Sequence, residues 1–103
     1  MKPVRLRAAA KLELRKIVTK YRDIDPALAN RFLNEVFHTL ALLERFPHTG
    51  SMVFGVSDTS IRQLSVLNFP YHIIFKRLPE RTSVLGIRHY RQEPMDWSTV
   101  EPE

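Results

Sequence analysis

Ile61-Arg-Gln-Leu-Ser-Val-Leu-Asn-Phe-Pro-Tyr-His-Ile-Ile-Phe-Lys76, followed closely by Ser83-Val-Leu-Gly-Ile-Arg-His-Tyr-Arg-Gln-Glu-Pro-Met-Asp-Trp97, decides how the chain reads. Tyr71, Ile73 and Phe75 alternate with His72, Ile74 and Lys76, the period of a strand with one buried face. Asn68-Phe-Pro70 and Leu78-Pro-Glu-Arg81 carry turn chemistry and divide the stretch into strands near 61–67, 71–78 and 82–89. Tyr71, Ile73, Phe75, Leu85 and Ile87 are expected to form the buried face. His72, Ile74 and Lys76 are expected on the other, more polar one. Arginines and histidines end these runs, and a proline-marked aromatic segment follows, a combination that a small core does not need.

Upstream, residues 47–60 are rich in Pro, Gly, Ser, Thr and Asp and read as a loop. Before them the period changes to that of helices. Ala29, Phe32, Leu33, Val36, Leu40 and Leu43 make one stripe of a helix from Pro26 to about Phe46, which Pro47 ends. Ala10, Leu14, Ile17, Val18 and Tyr21 make the stripe of a second helix over 8–22. Asp25 suits an N-cap and Pro26 the first helical position, so a joint of about three residues makes an antiparallel hairpin. Val4 and Leu6 alternate with Arg5 and Arg7 as a short strand within 2–7. The order is β-α-α-β-β-β, an α+β domain with a helical hairpin on one face of a mostly antiparallel sheet. One domain is expected over 1–103, with a flexible acidic tail at 98–103. Leu12 and Leu42 fall on the polar sides of their helices. They are either scattered surface leucines or a partner-facing patch on the hairpin.

The 103 residues carry a formal charge of +5, no cysteine and no apolar run near the ~20 residues that span a bilayer. Disulfides and thiolate metal sites are thereby excluded, and a reducing cytoplasm is expected. The charge is segregated. Residues 1–22 hold eight Lys/Arg against Glu13, residues 23–59 two against five acids, residues 60–92 six against Glu80, and the last eleven residues four acids and no base. Convergence of the two basic segments would make a surface for a polyanion or an acidic protein.

No phosphate-binding glycine loop, metal-ligand spacing or activated nucleophile is present, so neither cofactor nor metal is expected. What remains is Arg62, His72, Arg88, His89, Tyr90, Arg91 and Trp97. Arginine stabilising a phosphorane, with histidine taking the 2′-hydroxyl proton, is the chemistry of metal-free RNA cleavage. The same residues, with Tyr90 and Trp97 as anchors, equally suit a binding surface. Trp97 also reads simply as a packing lid.

Five motifs in order make the chain resemble the RelE/ParE toxins of bacterial type II toxin–antitoxin pairs. They are Ala29-Asn-Arg-Phe-Leu33, Leu43-Glu-Arg-Phe-Pro-His-Thr-Gly50, Ile61-Arg-Gln-Leu64, Phe69-Pro-Tyr-His-Ile-Ile-Phe75 and Ile87-Arg-His-Tyr-Arg-Gln-Glu-Pro-Met-Asp-Trp97. One extra residue separates Arg91 from Pro94. The resemblance implies the βααβββ fold and a toxin wrapped by a cognate antitoxin in a hetero-oligomer, as in plasmid-stabilisation systems. RelE-like members cut mRNA on the ribosome; ParE-like members poison DNA gyrase. Gln63, Ser65 and His72 stand where the nucleases carry lysines and an arginine, which brings the chain closer to the ParE-like group. As a nuclease it would act through His72, Arg62 and Arg91. As a binding toxin it would act through Arg88, His89, Tyr90, Arg91, Trp97, Leu12 and Leu42. A protein that only pairs with an antitoxin, without toxicity, is the third reading.

Overall fold

In the computed structural model, which describes residues 2–103, the chain runs β1 (Val4–Leu6), α1 (Ala8–Ile24), α2 (Pro26–Arg45), β2 (Ser51–Met52), β3 (Ile61–Ser65), β4 (Tyr71–Arg77) and β5 (Thr82–His89), then a 3-10 turn at Trp97–Thr99. The strand order is β1-β5-β4-β3-β2; β1 lies parallel to β5 and every other pair is antiparallel. The α+β class and the βααβββ order are as the sequence implies. One strand is added, the two-residue β2 inside the expected loop. Its residues are both exposed, so it leaves no apolar period to read.

Asp25 alone joins the helices, shorter than the expected joint. Its N–H donates to Tyr21 O, closing α1, and its carboxylate accepts from Ala27 N at 3.0 Å, opening α2 with Pro26 in the first turn. The hairpin lays Ile17, Val18, Phe32, Val36 and Leu43 on Tyr71, Ile73, Phe75, Val84 and Ile87. Phe32 is fully buried at the centre, with ring centroids of Tyr21, Phe69 and Tyr71 at 5.3, 5.1 and 5.5 Å in tilted or edge geometry. Arg77 ties the end of the hairpin to the sheet. Its guanidinium donates to the carbonyls of Pro47, His48 and Thr49.

The opposite face of the sheet carries a second cluster of Val56, Ile61, Ile74, Leu85 and Trp97, roofed by the loop before β3 and the segment after β5. Leu85 belongs here and not under the hairpin, which corrects the simple alternation. Ile74 pairs with Gly86 and Phe75 with Val84, so Leu85 is an extra residue, a β-bulge. The bulge turns Leu85 to the second face while Val84 and Ile87 both keep to the hairpin. Gly86 beside it makes room for Trp97: a β-carbon there would stand 2.5 Å from the indole Cη2 and 3.0 Å from Cζ3. Parts of the acidic tail touch the body. Val100 packs on the second cluster, Glu103 N donates to Ser83 Oγ at 3.0 Å, and Arg81 Nε donates to the Glu103 main-chain oxygen.

Candidate functional site

On the second face, register places Ser65, His72 and Arg88 side by side across β3, β4 and β5. The segment after β5 folds back over this row and leaves a cleft of about 190 Å³ between His72, Ile74, Arg88, Tyr90, Met95 and Trp97. Phe54 stands on its rim, 82% exposed. The turn that builds the wall is fixed by main-chain bonds from Tyr90 N to Pro70 O and from Gln92 N to His89 O, both 3.0 Å.

The His72 ring lies 4.2 Å from the Tyr90 ring at 35°. Its Nδ1 is buried and has no hydrogen-bond partner among the described residues. Burial holds its pKa below that of an ordinary imidazole, which keeps it neutral near pH 7. Arg88 donates from Nη2 to Glu93 O at 2.7 Å and holds its guanidinium 5.9 Å from the Trp97 ring centroid. The cleft therefore offers the neutral His72 imidazole, the Arg88 guanidinium and aromatic walls, with His89 and Glu93 on its border. Among the described residues, no hydrogen bond joins His72 to a carboxylate that would orient it as a base. Such a surface anchors an inserted side chain or ring more readily than it moves a proton.

The remaining residues singled out by sequence lie elsewhere. Arg62 pairs with Phe75 across β3 and β4, which puts it on the hairpin face of the sheet, opposite His72. There its Nε donates to Thr59 O at 3.0 Å, and its charge, after burial, helps to lower the pKa of Arg77. Sharing one exposed edge with His72, as the sequence reading had it, is thus corrected by the pleat. His89 borders the cleft, but its ring stands edge-on to Tyr71 at 5.1 Å and its Nδ1 accepts from Arg91 N at 3.0 Å. Arg91 itself is exposed and lines no part of the cleft. Trp97 is buried, lid and wall at once. Leu12 and Leu42 are 52% and 40% exposed and do not share a groove: Leu42 faces Leu64 and Leu67, whereas Leu12 rides the outer side of α1. Sequence reasoning missed Phe54 and Met95 as cleft residues. The one available signal was an aromatic set between Val53 and Gly55 in a polar loop.

Comparison with known proteins gives this arrangement a class. The fold matches a solved structure described as the chromosomal ParDE TA system from P. aeruginosa, with a TM-score of 0.72 over 86% of this chain and 96% of that one, at 17% identity. A family model described as the ParE toxin of the type II toxin–antitoxin system parDE matches residues 4–94. The chain belongs to that family. A search of curated proteins finds no match.

Proposed function

We propose that the chain arrests growth as a ParE-like toxin that binds and inhibits DNA gyrase without catalysing a reaction, and that a cognate antitoxin neutralises it in a cytoplasmic toxin–antitoxin hetero-oligomer of the plasmid-stabilisation kind. The observation that carries this reading over nuclease action is that the three residues a nuclease would use do not converge, and that Arg88, the one guanidinium beside His72, is engaged with Glu93 O. His72 and Arg62 stand on opposite faces of the sheet, and Arg91 is exposed and lines no part of the cleft. Metal-free cleavage needs its base and its phosphate clamp on one substrate. Arg88, Tyr90, Trp97 and Phe54, gathered around an aromatic cleft, suit the anchoring of a protein side chain. Leu12, Leu42, His89 and Arg91 would extend the contact surface.

Basic α1 supports an acidic, partly disordered antitoxin that folds on binding. Lys11, Arg15, Lys16, Lys20 and Arg22 are all exposed there, so the complex should loosen as salt rises. The target is tested by adding purified protein to a gyrase supercoiling reaction and, separately, to a translating extract with a mapped mRNA. Inhibited supercoiling with intact mRNA is expected. Unimpaired supercoiling with cleaved mRNA would replace this reading with a ribosome-dependent endonuclease using His72. No effect in either assay, and no growth arrest, would leave an antitoxin-binding module.

A further inference from the structure

Arg88 is a cation without a counter-ion. It is half-buried in the wall of the cleft, and among the described residues no carboxylate stands within ion-pair distance of it; the ion pairs join Lys76 to Asp58 and Arg81 to Glu80. Its hydrogen bond from Nη2 goes to a neutral carbonyl, Glu93 O. That bond fixes the guanidinium but leaves its charge unanswered and most of its N–H donors open. Trp97, whose ring centroid lies 5.9 Å from the guanidinium, is held in place in turn. It is buried, packs on Val56, Ile61, Ile74 and Leu85, and lies too close to Gly86 to admit a β-carbon there. The opposite rim is apolar and open: Phe54, Tyr90 and Met95 are 82%, 51% and 40% exposed. A fixed cation thus sits beside rings that nothing covers.

We propose that the cleft takes an aromatic side chain of the target protein together with a neighbouring carboxylate, the ring against Tyr90, Phe54 and Met95 and the carboxylate on Arg88. This deepens the target-binding reading above and rests on it. Size admits the ring, since an apolar cavity of about 150 Å³ already binds benzene and the cleft has about 190 Å³. Chemistry favours a ring over an aliphatic chain, because Tyr90 and Phe54 offer aromatic faces and edges and Met95 a polarisable sulfur. Charge supplies the carboxylate, which the planar fork of a guanidinium matches with two parallel hydrogen bonds. A nucleic-acid strand also presents rings and anions, but it needs a row of cations along its phosphates. The row on this protein, Lys11, Arg15, Lys16 and Lys20, belongs to α1, which covers the other face of the sheet. The segment that walls the cleft carries Glu93 and Asp96 instead. One guanidinium among those acids answers one carboxylate and not a chain of phosphates.

The probe is N-acetylphenylalaninate, which carries ring and carboxylate on one small frame, set against its uncharged amide. Binding to the native protein is read from the emission of Trp97 and from the amide resonances of residues 88–97. The acid should bind saturably and about tenfold more tightly than the amide, the effect expected of a charge-assisted hydrogen-bonded pair. Arg88→Gln should erase that preference. Phe54→Ser changes a side chain too exposed to support the fold and should weaken acid and amide by the same factor. It decides the matter if loss of Arg88 loosens the wall. Equal binding of acid and amide, no saturable binding, or an unweakened Phe54→Ser variant would overturn the proposal. So would an oligothymidylate that binds more tightly than the acid and loses its affinity in Arg88→Gln, which would make the cleft a nucleotide site. Gyrase takes no part in these titrations. A protein that inhibits supercoiling but ignores the acid would retain the gyrase reading and end this one. The reverse result would retain the chemistry of the cleft and assign it to another target.

Discussion

The two faces of the sheet are built from the same strands and differ in what covers them. The hairpin face is covered by two long helices whose stripes interlock with β4 and β5. The second face is covered by a loop and a returning tail, which bury a cluster of five residues and leave a cleft beside it. The lesson is a division of labour. A helix pair supplies apolar area in bulk, and the opposite side is free to carry a concave, partly polar surface without stripping the domain of its core.

The strongest way to break that division is to weaken the hairpin side. Phe32→Ala removes a ring that touches three other aromatics, and it should lower the unfolding free energy by about 3–5 kcal/mol in a urea titration. A domain whose total stability is of order 5–15 kcal/mol would then be marginal at best. A loss much smaller than this would mean that the second face carries more of the stability than its cluster suggests.

The next test strikes the second face alone. Gly86→Ala places a methyl group against the indole of Trp97 and 3.0 Å from Glu13 Oε1. Displacing the tail should cost about 1–3 kcal/mol. Trp97 is the single tryptophan, so its emission should shift to the red while far-ultraviolet circular dichroism still reports intact helices. Unchanged emission would show that the tail has slack which the packing against Gly86 denies.

The gentlest test is pH. His72 is held below its ordinary pKa by burial, so below about pH 6.5 the unfolded chain takes up a proton that the folded one refuses. Stability contributed at neutral pH should therefore decline as pH falls below that point, until the lowered pKa of the folded protein is reached. His72→Phe should flatten this part of the profile of denaturation midpoint against pH. A profile identical to that of the unmodified protein would remove His72 as the source of the pH dependence.

Much of this contrast is legible in the sequence. Helical stripes and strand alternation are local patterns, and they give the hairpin, four of the five strands and the facing of Tyr71, Ile73 and Phe75. What escapes is whatever depends on a neighbour in space. The bulge at Leu85 breaks the alternation because β4 and β5 differ locally by one residue, and nothing in Ser83-Val-Leu-Gly-Ile87 announces it except the glycine. Arg62 looks like a companion of His72 in a linear reading, since both sit on apolar strands. Only the register, Arg62 against Phe75, reveals that the pleat divides them. Phe54 and Met95 reach the cleft through the path of a loop and a tail, which no periodicity encodes.

The parallel seam between β1 and β5 has a consequence for how the protein comes into being. It pairs Val4 with Thr82 and Leu6 with Val84, residues from opposite ends of the fold. Synthesis delivers the first strand long before the only strand it can join. The hairpin, with its single-residue joint, is a local structure that can form early, but the N-terminal strand must wait until β5 exists. Contacts of such long sequence separation slow the final closure of a domain, so the ordering of the sheet is governed by the last strand to be made.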